Sequence, residues 1–394
     1  MTTTEDRLPV SVLTGFLGSG KTTLLNRLLQ HPDMADTAVV VNEFGEIGID
    51  HALIAQADES TVLLSSGCLC CTVRNDLVET LRDLFIKRVK GEVPEFRRVV
   101  VETTGLADPA PILHTLMQDP LISSRYRLDG VITTVDGVNG AGTLDRQVEA
   151  VKQAAVADRI LLTKSDIADP AALETLRARL AQLNPGAPLF VTVDGGIEPA
   201  RLFDAGLYNP ATKSADVRAW LNAEAYEPHG HDHGHDHHHH DHGHDHHHGH
   251  DHHHGHDHGH AHGHQDPHDV NRHDDRIGSF CLTFDEPFDW NQLATWLDLL
   301  AAYRGDDLLR VKGIVNVAGL DNPVVVHGVQ HIFHPPASLP GWPDDDRRSR
   351  IVFITRDLSR ELIEQTFTAM YQAMKDAADK EGAGKEGASK TDAA

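Results

Sequence analysis

The chain has 394 residues, 40% of them hydrophobic, a formal charge of −24 and four cysteines. Such acidity excludes general nucleic-acid binding, which rests on neutralising phosphates with Lys and Arg. Four cysteines, three of them clustered, exclude a secreted disulfide framework. No signal-peptide pattern is seen, and runs such as Val39–Val41 or Ile160–Leu162 fall far short of the roughly 20 residues a membrane span needs. The expectation is a soluble, cytoplasmic protein with neither a membrane nor a nucleic acid as partner.

In chain order, VSVLT (10–14) reads as a strand and Lys21–Leu29 as a helix, with GFLGSGKTT (15–23) between them. That segment fits G-x-x-x-x-G-K-[ST] at Gly15, Gly20, Lys21 and Thr22, in the strand–loop–helix context the motif needs. Backbone amides of such a loop cradle phosphates, and glycines let the backbone approach them. Gly15, Gly18, Ser19, Gly20, Lys21, Thr22 and Thr23 are therefore the candidate phosphate-binding residues. Lys21 would neutralise the β- and γ-phosphates, and Thr22 would hold Mg²⁺. AVVVN (38–42) and TVLLSS (61–66) read as further strands, followed by NEFGEIGID (42–50) and GCLCC (67–71). After the helical stretch Val73–Val89, the strand RVVVET (98–103) ends in Glu102, a carboxylate suited to the magnesium shell. Gly105 follows it, with an amide that could sense a γ-phosphate.

GVITTVD (130–136), RILLT (159–163) and LFVTV (189–193) complete the strands, with Ala171–Leu183 as a helix. Apolar strands alternating with helices argue for a mostly parallel sheet covered on both faces: an α/β P-loop NTPase domain over 8–215. LLTKSD (161–166) supplies Thr163, Lys164 and Asp166 at T-K-x-D spacing. A carboxylate there accepts from N1–H and the exocyclic amine of guanine, so the nucleotide is expected to be GTP rather than ATP. Thr163 stands where many GTPases carry Asn.

Residues 229–264, with 22 histidines and six aspartates, have no residue able to build a core. Composition marks 228–272 as a disordered linker and a low-selectivity metal reservoir. From Arg276, strands SFCLTF (279–284), LLRVKGIVNV (308–317), PVVVHGVQHIF (323–333) and RIVFITR (350–356), with helices Trp290–Leu300 and Ser359–Met374, predict a small α+β domain over 276–376 with an antiparallel sheet. Residues 377–394 read as a disordered tail.

Strand-end loops of a parallel sheet share one edge, so GCLCC and NEFGEIGID belong beside the phosphates. Cys68, Cys70 and Cys71 form a soft ligand set for Zn²⁺, Co²⁺ or Cu(I). A single cluster without a second pair suggests an exchangeable site, completed by a carboxylate such as Glu46 or by water. Cys281, within a strand, reads as a small buried residue.

GFLGSGKTT, NEFGEIGID, GCLCC, ETTGLADP and TKSD, in this order, resemble the CobW-type family of P-loop GTPases. The likeness extends through KGIVNV…HGVQHIF and covers about residues 8–375 apart from the histidine tract. It implies a cytosolic metal-handling GTPase, with the C-x-C-C thiols as metal ligands and a client metalloprotein as recipient. Some members carry Glu directly before the N-E-F-G-E stretch; here Val41 stands there, which leaves Glu46 as the acidic candidate. Zinc is the leading metal and cobalt, for cobalamin synthesis, the second. An oligomer is compatible with the sequence, and storage of metal with a regulatory GTPase domain is the competing reading.

Overall fold

The computed structural model describes residues 7–41, 62–65, 73–203 and 276–389. NEFGEIGID, GCLCC with its three cysteines, Glu46 and the histidine tract lie outside the described residues. Among the described residues, no helix is long and apolar enough to cross a membrane.

The first domain runs β1 (Leu8–Gly15), α1 (Lys21–Leu29), β2 (Thr37–Val41), β3 (Val62–Ser65), α2 (Val73–Lys90), β4 (Arg98–Glu102), α3 (Ala110–Gln118) and α4 (Pro120–Ser123). It continues with β5 (Tyr126–Asp136), α5 (Gly140–Arg146), α6 (Val148–Ala155), β6 (Arg159–Thr163), α7 (Pro170–Leu183) and β7 (Leu189–Val191). Its strands form one sheet in the order β3-β2-β4-β1-β5-β6-β7. Every pairing in it is parallel, as expected.

Successive strand residues point to opposite faces, and both faces are apolar. Val10, Val12, Ala38 and Val40 pack with Leu81 of α2 and Leu113 and Leu116 of α3. Leu13, Val39 and Val41 pack with Leu24, Leu25 and Leu28 of α1. This explains why these strands read as continuous apolar runs. The parallel arrangement also brings Gly15, Val41, Ser65, Glu102, Asp136 and Thr163, the last residues of six strands, to one edge of the sheet.

The second domain comprises β8 (Ile277–Phe284), α8 (Trp290–Arg304), β9 (Leu308–Val315), β10 (Val324–Val329), β11 (Ile332–Phe333), β12 (Ala337–Ser338), β13 (Ser349–Arg356) and α9 (Arg360–Ser389). The strand order is β11-β10-β9-β13-β8, with β12 on β10, and all pairings are antiparallel. Cys281 is buried in β8, as its place within a strand suggested.

Two details differ from the sequence reading. PVVVHGVQHIF is a hairpin rather than one strand, because Gln330 adopts a positive φ of 51° and turns the chain between β10 and β11. The last helix begins after Ser359, whose hydroxyl accepts from the Leu362 amide, but continues to Ser389 instead of ending near Met374. The stretch read as a disordered tail is thus helical as far as Ser389; it is rich in Ala, Glu and Lys, good helix formers.

The two sheets meet through a buried ionic cluster. Asp158, just before β6, accepts from Arg310 at 2.8 Å and Lys312 at 2.5 Å, both on β9. Its other oxygen accepts from the Val131 amide at 2.9 Å. Leu309 and Ile354 pack beside Ala155, and His114 of α3 donates from Nε2 to the Val329 carbonyl at 2.9 Å.

Candidate functional site

The loop after β1 turns through three glycines of positive φ: Gly15 (141°), Gly18 (72°) and Gly20 (90°). At Gly15 a Cβ would fall 2.3 Å from the Thr134 hydroxyl and 2.7 Å from that of Ser19, so only glycine fits. At Gly18 nothing lies within 4 Å of such a Cβ, and the backbone itself is open. Ser19 and Thr134 share a hydroxyl hydrogen bond of 2.7 Å, and the Thr163 hydroxyl donates to the Ser19 carbonyl at 2.7 Å. The loop is therefore held at Ser19 by the ends of β5 and β6.

Lys21, 9% exposed, donates from Nζ to the carbonyls of Gly15 (2.9 Å) and Phe16 (3.3 Å). Its ammonium sits inside the loop, where it would neutralise bound phosphates. Thr22 donates from Oγ1 to Oε1 of Glu102 at 3.2 Å, across 80 residues of sequence. A hydroxyl and a carboxylate are hard oxygen donors of the kind magnesium prefers, so this pair fits the ion that accompanies nucleoside triphosphates. Gly105 abuts the loop from the β4 side: a Cβ on it would fall 2.5 Å from the Leu17 amide nitrogen.

The TKSD turn follows β6 at the same edge. Lys164 takes a positive φ of 55° and pairs with Asp136 at 2.7 Å, while Asp166 is exposed. Burial would raise the Asp136 carboxyl, but the Lys164 ammonium and the amides of Asn139 and Val138 outweigh it and hold the group below the usual range. A cavity of about 330 Å³ adjoins the loop, lined by Phe16–Ser19, Asp136, Asn139, Gln153 and Lys164.

The expected set Gly15, Gly18, Ser19, Gly20, Lys21, Thr22, Glu102, Gly105, Thr163 and Lys164 is gathered around one loop, with Thr23 exposed on α1. Asp136, Thr134 and Gln153 were not anticipated. Asp136 ends a recognisable strand in the right topology, and that position was the available signal. The loop after β7 was missed too: Ser165 donates to the Thr192 carbonyl at 3.2 Å, tying Thr192 to the TKSD turn. Among the described residues, no group of three or more His, Cys, Asp or Glu is placed to hold a metal.

The family model for the CobW/HypB/UreG nucleotide-binding domain matches residues 9–191, and that for the cobalamin synthesis protein cobW C-terminal domain matches 277–371. The zinc chaperone YjiA of Escherichia coli (strain K12) is 32% identical over 363 residues, covering 92% of this chain and 98% of that protein. The chain belongs to the CobW family. Within that family, it is also 27% identical over 415 residues to the zinc-regulated GTPase metalloprotein activator 1 of Saccharomyces cerevisiae, covering 92% of this chain and 83% of the other. The crystal structure of Zn(II)-bound YjiA GTPase from E. coli matches with a TM-score of 0.61 at 28% identity, covering 92% of this chain and 99% of that one. The CobW-type architecture, a P-loop domain followed by a small antiparallel domain, accounts for both sheets.

Proposed function

We propose that this CobW-family chain is a GTP-hydrolysing metallochaperone that carries zinc to a client metalloprotein. The observation that supports it most is the meeting of Thr22 and Glu102 at 3.2 Å beside Lys21 within the glycine loop. Magnesium bound by Thr22 and Glu102 would offset the charge of the β- and γ-phosphates. The loop amides and Lys21 bind the phosphates and favour the transition state, in which charge spreads over the transferred group. Lys164 and Asp166 select guanine. The Gly105 amide, beside Leu17 of the loop, would respond to the γ-phosphate.

Cys68, Cys70, Cys71 and Glu46 are the proposed zinc ligands, with cobalt the second candidate on the same chemistry. GCLCC follows β3, which stands three strands from β1 in the sheet, roughly 14 Å at the usual strand spacing. Hydrolysis would rearrange the loops at this shared edge and loosen the thiolate site. The names of the similar zinc chaperones and GTPases support the same reading.

The test is zinc affinity under GTP and under GDP, by competition with a chelator, in protein lacking residues 229–264. GTP should tighten the site by about 5–150-fold, and linkage requires zinc to favour GTP over GDP by the same factor. Cys70→Ala should abolish the coupling, and Lys21→Ala should abolish hydrolysis. Equal zinc affinities in the two nucleotide states would exclude nucleotide-driven delivery. The histidine tract favours a second reading, metal storage, under which deleting it lowers only metal tolerance and leaves client activation intact.

A further inference from the structure

We infer that Gln153 is a positioning residue for GTP hydrolysis, an inference that rests on the function proposed above. Gln153 lies on α6 and is wholly buried. Its side-chain amide donates to two carbonyls of the ETTGLADP segment, Gly105 at 3.2 Å and Ala107 at 3.0 Å. Its backbone carbonyl accepts from the Thr133 hydroxyl at 2.8 Å, which fixes this turn of α6 to β5. The side-chain oxygen is buried and has no hydrogen-bond partner among the described residues. A carboxamide is expensive to bury in this half-satisfied way, and leucine would fill a similar volume without that cost. What glutamine adds over leucine here is the grip on those two carbonyls.

The segment is held at other points as well. On its amino side, the Thr103 amide donates to the Leu13 carbonyl at 2.9 Å, and the Thr103 hydroxyl donates to that of Thr14 at 2.8 Å. On its carboxyl side, Lys152, next to Gln153 on α6, donates to Asp108 at 2.7 Å. Gly105 lies between these anchors with its Cα against Leu17 of the phosphate loop. Gln153 grips the middle of the segment, next to the amide assigned to the γ-phosphate. Small misplacements of groups that meet the reacting atoms can cost about 100-fold in rate. GDP carries no γ-phosphate, so its binding does not depend on this placement.

The experiment compares wild-type protein with Gln153→Leu and Gln153→Glu, measuring kcat at saturating GTP and affinities for GDP and a non-hydrolysable GTP analogue. Gln153→Leu should lower kcat by about 10–100-fold and weaken the analogue relative to GDP, with GDP affinity within about twofold of wild type. Gln153→Glu places a buried carboxyl beside two carbonyls, which favours its protonated form. That form restores one donor, so its kcat should recover as pH falls from about 8 to about 6, a profile wild type lacks. A Leu variant with wild-type kcat, or one losing GDP and analogue affinity in parallel, overturns the inference. If the Leu variant does not fold, Lys152→Met carries the test from the partly exposed end of the same tether: kcat should fall severalfold at constant GDP affinity, and an unchanged kcat overturns it. A wild-type protein without GTP hydrolysis would sink the proposed function itself, whereas an active wild type with an unaffected Leu variant sinks only the tether.

Discussion

Thr163 shows how one hydroxyl can serve two neighbours. It donates to the Ser19 carbonyl at 2.7 Å and lies 3.3 Å from that of Val135, and the residue is 5% exposed. The sequence placed Thr163 in a base-recognition motif; the structure shows it holding the phosphate loop to the end of β6. Thr163→Val keeps the shape and removes the donor, leaving a buried carbonyl unsatisfied at a cost of about 1–3 kcal/mol. Urea unfolding should show that loss together with weaker GDP binding, and Thr163→Ser should restore both; a Val variant as stable as wild type would show that the bond contributes nothing. Lys21 and Thr22 were legible because their motif is contiguous in sequence. The Thr22–Glu102 pairing was legible because parallel topology sets strand ends side by side. Gln153 was not, since nothing near it in sequence reports a partner 48 residues away, whereas Asp136 was open to the same strand-end reasoning and was missed.

Among the elements, the β10–β11 hairpin departs most from its sequence pattern. Its turn residues, Gln330 and His331, carry none of the usual Asn-Gly or Asp-Gly chemistry, so the apolar run read as unbroken. The hairpin still has a defined place: Gln330 lies 3.5 Å from Asp108, and Val329 joins the core of the first domain. On β10, His327 is 4% exposed and neither ring nitrogen has a hydrogen-bond partner among the described residues. Burial pushes its imidazole well below the ordinary value of 6.5, and Arg310 and Lys312 add to this against the pull of Asp158, with His334 also facing it. The folded protein therefore resists protonating His327, whereas the unfolded chain takes up a proton near that ordinary value. Stability contributed by the neutral imidazole is complete above about pH 6.5 and is lost as pH falls below it. Urea midpoints measured from pH 7.5 to 5.5 should decline for wild type, and His327→Leu should flatten the decline without lowering stability at pH 7.5. Equal slopes in the two proteins would show that His327 does not titrate differently on unfolding.

At the scale of the whole molecule, both domains were legible as patterns: apolar runs alternating with helices in the first, consecutive strands in the second. Their contact was not, because Asp158, Arg310 and Lys312 look in sequence like ordinary surface charges. In the structure, Asp158 is held far below the carboxylate range: burial alone would raise it, and Arg310 and Lys312 more than reverse that. Burial in turn pushes Lys312 down to about 8, so the pair stays charged at neutral pH. Removing one member strands the others without solvent, and Asp158→Ala should cost about 3–5 kcal/mol in urea unfolding. A loss below about 1 kcal/mol would mean that water reaches the cluster.

The same cluster bears on how far the polypeptide needs to be continuous. Asp158 lies on one side of the long stretch from 204 to 275, and Arg310 and Lys312 lie on the other. Each half, taken alone, would expose the apolar and charged surface that the other covers. Two separate polypeptides, 1–227 and 271–394, produced in the same cell should therefore find one another and co-elute as a stoichiometric pair in size-exclusion chromatography. With Asp158→Ala in the first fragment they should elute apart. Peptide-bond continuity between the nucleotide half and its companion would then be a convenience of synthesis rather than a requirement of assembly, and the histidine-bearing stretch would be free to change in length without parting them.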